Sequence, residues 1–323
     1  MKMRKILTYV LSIGLSVALF YLAYARIDNK EDLWSLMRTV RWEGVALSFL
    51  MGYLAIVSRG LRWELLLKPL GRVAPPGRRV NAVMFGYFAN TFIPRGGELA
   101  RCAALNQTDD IPVDELFGTV ISERVVDFVF LGLFTLIALL GNSNAFMAFI
   151  SNATMPDQKV IVAGLIVFTF IIGLLVAFRK ALMRLSIFEK VSGFLKGVWS
   201  GLNSIRKMER RWLFLTHTLF IWSMYFLMAW VIIRSFEDAG GMHIVEGMFI
   251  VVAGGFGMII PAQGGAGSYQ FAVMSGFVAL GYQEEMGMAI GNVIWFTQTA
   301  MIIIMGGLAY LMLFRYRMKK NRT

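Results

Sequence analysis

Gly247–Gln283 reads GMFIVVAGGFGMIIPAQGGAGSYQFAVMSGFVALGYQ, thirty-seven residues without a charged side chain. A run of that length asks for hydrocarbon as its solvent, because one helix crosses a bilayer core with about 20 apolar residues. A single continuous helix does not fit it. Gly254, Gly255, Gly257, Pro261, Gly264, Gly265 and Gly267 interrupt its middle. Glycine costs the helix conformational entropy, and proline removes a donor and clashes with the preceding turn. The run therefore reads as two half-length helices around a broken centre, Ile260-Pro261-Ala262-Gln263-Gly264-Gly265. At membrane depth such a break is tolerated only where protein or a wet cavity satisfies the freed backbone.

A second interruption lies far upstream. Val80–Pro94 is apolar but only fifteen residues long. It ends in Ile93-Pro94-Arg95-Gly96-Gly97-Glu98, and a short helix is expected to follow to Leu105. Both breaks read Ile-Pro, then one or two small or polar residues, then Gly-Gly.

Around the breaks the chain alternates apolar blocks with short polar joints. Ile6–Ala25 is the first expected helix, and Ala23-Tyr24-Ala25 in it resembles a signal-peptidase site. The block is longer than a signal core of about 7–15 residues, so an uncleaved membrane helix is expected. A surface helix follows within Arg26–Arg41, then a span over Trp42–Ser58 and a basic loop over Arg59–Arg79 with Pro75, Pro76 and Gly77. Pro112 is placed as the first residue of a helix with Asp114 and Glu115 in its first turn. That helix runs through Glu123, Arg124 and Asp127 into Phe128–Leu140, and Gly141–Lys159 reads as polar. Further spans are expected at Val160–Phe178, Trp212–Ile233 and Met286–Phe314. Between the first two lies Arg179–Arg211, a basic amphipathic segment with Gly193, Gly197 and Gly201 four apart. Glu237 and Asp238 mark a loop, and Arg315–Thr323 is a basic tail.

Hydrophobic residues make up 57% of the 323 and charged residues 16%, so no long polar stretch remains to build a soluble domain. One membrane domain over 1–323 is the reading, all-α and polytopic. The net charge of +12 sits in the joints, where it sets orientation rather than binding nucleic acid. Alternate joints hold 23 Lys and Arg against 6, which puts both termini in the cytoplasm of a bacterial inner membrane. Each broken element must then return to the side it entered from. The first enters from inside and the second from outside, so the two re-entrant hairpins form an inverted repeat, as in many transporters.

The candidate site follows from that arrangement. Gly96, Gly97, Gly264 and Gly265 let a ligand approach backbone closely, and half-helix N-termini offer free N–H groups. Arg95 and Arg101 add positive charge, and a phosphate headgroup is the natural guest. The plainer alternative is a re-entrant turn in which Glu98 neutralises Arg101. Arg59 and Arg62 are either topology signals or receivers of anionic headgroups. Glu123 and Asp127, four apart, share a helix face, and Arg124 reaches Asp127. Intramembrane charges are functional candidates. If Phe128–Ile150 were the span, however, that trio would be an interfacial ion pair. Gln263, Ser268, Tyr269 and Gln270 either bind a headgroup or satisfy the second break's own backbone. Asn292 and Gln298 read as helix–helix contacts. His217 and His243 lack ligand neighbours, so no metal or cofactor is expected. Lone Cys102 excludes an internal disulfide, and no nucleotide-binding or hydrolase motif occurs.

Four runs carry a family resemblance: Arg59-Gly60-Leu61-Arg62-Trp63, Asn90-Thr91-Phe92-Ile93-Pro94-Arg95-Gly96-Gly97-Glu98-Leu99-Ala100-Arg101, Glu123-Arg124-Val125-Val126-Asp127 and Pro261-Ala262-Gln263-Gly264-Gly265-Ala266-Gly267. In that order they resemble the lysylphosphatidylglycerol synthase transmembrane, or flippase-like, family, over nearly the whole chain. The resemblance implies a lipid-translocating domain. In the multiple peptide resistance factor such a domain is joined to a cytosolic aminoacyltransferase. A stand-alone member without that domain is expected here, so transferase activity is not carried over. The family often has a glutamate a few residues after the second Gly-Gly, where this chain has Gln270.

The leading expectation is thus a translocator, not an enzyme, acting on an anionic or aminoacylated phospholipid or a lipid-linked intermediate. The headgroup would enter near Arg59, Arg62, Arg95 and Arg101, with Glu98, Glu123, Arg124, Asp127 and Gln270 holding or gating the path. The alternatives are a membrane-embedded enzyme of lipid or glycolipid biosynthesis and a scaffold. A scaffold's glycine-rich faces would receive a second copy or an envelope-biosynthesis enzyme.

Overall fold

The computed structural model describes residues 2–93, 96–152, 208–260 and 262–320. Pro94, Arg95, Pro261, the expected span Val160–Phe178 and Arg179–Arg211 up to residue 207, glycine repeat included, lie outside them. Among the described residues every regular element is a helix: α1 (Lys2–Ala25), α2 (Lys30–Arg38), α3 (Trp42–Leu67), α4 (Pro76–Phe92), α5 (Gly97–Asp109), α6 (Val113–Gly141), α7 (Ser143–Asn152), α8 (Arg211–Ile233), α9 (Ile244–Gly257), α10 (Ser268–Ala279) and α11 (Glu284–Lys320). The protein is a multi-pass membrane protein. Among the described residues four helices, α3, α6, α8 and α11, are long and apolar enough to cross a bilayer.

Local chemistry fixes the helix ends. The Asn29 side chain accepts from the Glu31 and Asp32 amides and starts α2. Pro112 stands just outside α6 rather than inside it, with Asp114 and Glu115 facing the positive helix end. Glu246 reaches back to the His243 amide at 2.7 Å to open α9. Gln270 does the same for the Gly267 amide at 2.8 Å and opens α10.

The Gly/Pro-rich run is broken where the sequence breaks it. α9 and α10 are 14 and 12 residues long. At 1.5 Å per residue each reaches about 20 Å, short of a core about 30 Å thick. They fold back on each other: Gly257 meets Ser268 and Ala272, and Gly276 meets Ala253 and Ile250. α4 and α5 form a second antiparallel pair. Gly97 meets Gly86 and Asn90 near its tip, and Arg78 meets Thr108 and Asp109 at its open end. Without a hydrophobic force between helices in lipid, such close backbone approach is what holds them.

The long helices join the two pairs. α8 lies antiparallel along α3, with Gly52 against Met228 and Arg62 against Thr218. α11 packs its first half on α10, where Gly287 meets Met274, and its second half on α4, where Gly306 meets Phe88. Two apolar cores result. One gathers Ile232, Phe249, Phe277 and Ile290. The other gathers Trp63, Leu105, Phe214 and Leu313. The first takes the end of α8 and the start of α11, and the second the start of α8 and the second half of α11, so the cores stand toward opposite ends of these helices.

Three sequence expectations need correction. α3 does not stop at Ser58 before a basic loop. It continues to Leu67, because Trp63, Leu65, Leu66 and Leu67 are buried and Arg59 and Arg62 find acidic partners on α6. The polar stretch from Gly141 contains α7, whose Ala145 joins the first core. Finally, α6 ends at Gly141, where Asn142 leaves helical backbone geometry. The alternative span Phe128–Ile150 is therefore not formed, and Glu123 and Asp127 lie well inside a 29-residue helix.

Candidate functional site: a buried arginine–carboxylate cluster beside a cavity

α3 places Arg59 and Arg62 on one face, three residues apart, and α6 places Glu123 and Asp127 opposite them. Arg59 meets Glu123 at 2.7 Å and Asp127 at 2.9 Å. Arg62 meets Asp127 at 3.0 Å and Glu123 at 3.4 Å. Arg101 reaches in from α5 to Glu123 at 3.3 Å. All five are buried, with Arg62 and Glu123 at 0% exposure. Neutral side chains complete the shell. Thr218 accepts from Arg62 at 2.7 Å. Trp63 donates to Thr119 at 2.8 Å and lies under Arg101, 4.8 Å from its ring centroid. Phe214 takes Arg62 at 5.0 Å. The Nε atoms of Arg59, Arg62 and Arg101 have no hydrogen-bond partner among the described residues.

Arg124 and Glu98 form the cluster's outer edge. They pair at 2.9 Å, and Arg124 also reaches Asp127 at 3.6 Å. The proposed local neutralisation of Arg101 by Glu98 is therefore not what forms: each chooses a partner on α6. Among the described residues the network holds four arginines against three carboxylates, a surplus of one positive charge.

The cluster opens on a cavity of about 630 Å³ at mid-length of α3, α8 and α11. Its polar lining is Arg59, Arg124, Asp127, Tyr87 and Gln298. The rest is apolar: Ile56, Phe128, Leu131, Met228, Met301 and Ile302, with Met258 from the end of α9. Trp222 and Tyr225 of α8 also line it, and Tyr225 bonds Tyr87 at 3.0 Å. A crevice of about 10 Å³, room for one water, adjoins it at Gly97, Glu98 and Arg101 and shares Tyr87 and Arg124 with it.

The structure thus unites Arg59, Arg62, Glu98, Arg101, Glu123, Arg124 and Asp127. It does not add the glycine breaks as free donors. The Gly97 amide is taken by Asn90 Oδ1 at 2.7 Å, and the Gly96 amide by the Ile93 carbonyl at 3.0 Å. Gln263, Gly264, Gly265 and Gln270 do not line the cavity; Gly264, Gly265 and Gln270 bond within or beside the second break, while Gln263 donates to α1 and α4 and its Oε1 is buried without a partner among the described residues. Trp295 donates to the Gly264 carbonyl at 2.9 Å, Ser268 to that of Gly265, and Gln270 caps α10. The contributions of Thr218, Trp222 and Tyr225 were not anticipated, since nothing in α8's own sequence marks it as the helix opposite α3.

Gln263 joins the two breaks. Its amide nitrogen donates to the Thr91 carbonyl at the end of α4, 2.6 Å away. Its backbone amide donates to Ser16 of α1 at 2.7 Å. Replacing Gln263 with leucine leaves the Thr91 carbonyl without its side-chain partner among the described residues, a loss of about 1–3 kcal/mol. Thermal unfolding in detergent is expected to show it. A Gln263→Leu protein that melts with the native one would mean the clasp holds nothing.

Other polar groups have local partners. His217 pairs with Ser58 at 2.8 Å, His243 begins α9, and Cys102 is a buried free thiol. No three His, Cys, Asp or Glu side chains among the described residues converge to hold a metal.

With this geometry fixed, comparison with known proteins gives one broad and one partial match. The family model for the lysylphosphatidylglycerol synthase TM region matches residues 9–306. A UPF0104 membrane protein of Methanocaldococcus jannaschii is 31% identical over 124 residues, 38% of this chain and 37% of that protein. The match thus spans little more than a third of that relative's length. No solved structure matches the chain. The family match runs from α1 into α11 and takes in both helix pairs and every residue of the charged cluster, so the chain belongs to the lysylphosphatidylglycerol synthase TM region family.

Proposed function

We propose that the protein binds the phosphate-bearing headgroup of a membrane lipid at the arginine–carboxylate cluster and passes it between leaflets without altering it chemically. The observation that carries this reading is the surplus arginine charge at the wall of a mid-bundle cavity whose other surfaces are apolar. Buried charge is a poor route to stability, because desolvation offsets much of the attraction. An uncompensated cation inside a membrane protein is better explained by a ligand. The apolar walls match acyl chains that stay in lipid while the head enters.

The two antiparallel pairs support the same path. Each is too short to cross alone, and Gln263 brings their tips into contact. We place them as hairpins entering from opposite faces, with both termini in the cytoplasm of the inner membrane, on the Lys and Arg bias of the joints.

The test is lipid movement in proteoliposomes carrying a trace of fluorescent phosphatidylglycerol. Native protein is expected to expose inner-leaflet label to an external quencher. Arg124→Gln, on a half-exposed side chain, is expected to slow this by roughly tenfold, which corresponds to about 1.4 kcal/mol. Mass spectrometry should recover the lipid unchanged. Native protein no faster than protein-free vesicles would end the translocation reading, and a covalently modified lipid would replace it with an enzyme.

A further inference from the structure

We infer that the headgroup accepted at this cavity is a net anionic phosphodiester whose remaining head is uncharged, such as a polyol, and that zwitterionic and aminoacylated heads are disfavoured. This rests on the reading of the cavity as a lipid site. It goes further, because it takes the substrate class from the charge and hydrogen-bonding balance of the wall.

Charge is the first term. Among the described residues the buried Arg59, Arg62 and Arg101 face the buried Glu123 and Asp127, leaving one positive charge over, and Arg124 and Glu98 pair at the half-exposed edge. In surroundings poor in water that imbalance is screened weakly. One phosphodiester anion cancels it. A zwitterionic head delivers its phosphate together with an ammonium and leaves the surplus in place. A lysyl-modified phosphatidylglycerol carries two ammonium groups on one phosphodiester and adds to it. Rejection by an unmatched like charge is a common source of specificity.

Donors and acceptors supply the second term, independently of the count. An ammonium entering the cavity needs an unengaged carboxylate. Asp127 is the carboxylate on the wall, and Arg59, Arg62 and Arg124 already hold it. Donors there outnumber acceptors: among the described residues Arg59 Nε and Trp222 Nε1 are buried without hydrogen-bond partners, and Asp127 Oδ2, ion-paired to Arg59, also lacks a hydrogen bond. Gln298 presents an amide that offers both a donor and an acceptor to a hydroxyl. A phosphate with hydroxyls beside it meets both free donors, whereas an ammonium finds on that wall only Asp127 Oδ2, which it would share with Arg59 and Arg124.

Binding is measured apart from transport. The full chain in neutral detergent would be titrated with dioleoyl phosphatidylglycerol, phosphatidylethanolamine or lysyl-phosphatidylglycerol, and bound lipid counted by native mass spectrometry. Phosphatidylglycerol is expected to bind at least roughly tenfold more tightly than the other two. Two variants at the exposed edge move the balance in opposite directions. Arg124→Gln removes the surplus and should bring phosphatidylglycerol and phosphatidylethanolamine to near parity. Glu98→Gln doubles the surplus and should widen the preference. Equal or tighter binding of either ammonium-bearing head by the native protein overturns the inference. So does a preference that neither variant shifts, provided both retain a native melting profile. If selectivity follows the charge while proteoliposomes show no lipid movement, translocation fails and the assignment of the ligand stands.

Discussion

Glu123→Gln is expected to lower the stability of the detergent-solubilised protein by about 3–5 kcal/mol, the range for breaking a buried ion pair by removing one partner. Glu123 is fully buried and meets three arginines: Arg59 at 2.7 Å, Arg101 at 3.3 Å and Arg62 at 3.4 Å. Glutamine keeps the volume but removes the charge, so a surplus of one becomes two. Arg101 suffers most, because Glu123 is its sole ionic partner among the described residues. Arg59 and Arg62 retain Asp127. A contrast isolates the cause. Glu115 holds Arg72 through two bonds of 2.8 Å in the first turn of α6, with both side chains partly exposed. Glu115→Gln removes the same charge where water and salt screen it, and should cost about 0–1 kcal/mol. Thermal unfolding of both variants at two salt concentrations is the measurement. Glu123→Gln and Glu115→Gln melting alike would mean that water reaches the cluster, and the low-dielectric basis for the proposed selectivity would go with it.

That network shows what sequence exposes and what it conceals. The spacing of Glu123 and Asp127 put them on one face, and a helical period settles such a relation within a single element. Their partners were not legible in the same way. Arg59 and Arg62 looked like the basic end of a span, since two arginines in hydrocarbon are normally excluded from it. The charges that permit α3 to continue to Leu67 lie more than sixty residues later. No local pattern reports a partner at that distance.

The breaks behaved in the opposite way. Gly and Pro act on the backbone they occupy, so the interruption near Gly264 could be read directly, and α9 and α10 end and begin around it. What the freed groups would bond to was again non-local. Asn90 takes the Gly97 amide, Gln263 reaches Thr91, and Trp295 reaches Gly264. The polar side chains at the breaks therefore close the backbone. The cavity-facing charge comes from helices whose own sequence resembled ordinary spans with basic ends.

The same distinction between local break and distant partner predicts the effect of Gly267→Val. Gly267 has φ +79° and ψ −50°, a conformation that a β-branched residue adopts only under strain of about 1–3 kcal/mol. Its surroundings add a second cost. A Cβ there would stand 2.5 Å from both the Ser16 carbonyl oxygen and the Phe20 amide nitrogen, and 3.1 Å from the Leu19 carbonyl carbon. These are backbone atoms of α1, which no rotamer change can move aside. Overpacking of this kind costs about a further 1–3 kcal/mol and pushes α1 off the second break. Gly281→Val separates the terms, since Gly281 also has a positive φ of +87° but no atom within 4 Å of its Cβ position. It should lose only the strain. Displacement of α1 can be read in a Cys102→Ala background through Ala23→Cys, because Ala23 is fully buried in the native packing. Alkylation of that cysteine in membranes should be slow with Gly267 or with Gly281→Val, and fast with Gly267→Val. Equal melting of the two valine variants, with Ala23→Cys protected in both, would show that α1 does not bear on the break. The Ser16–Gln263 bond would then be incidental, and the clasp between the two hairpins would have to be anchored without α1.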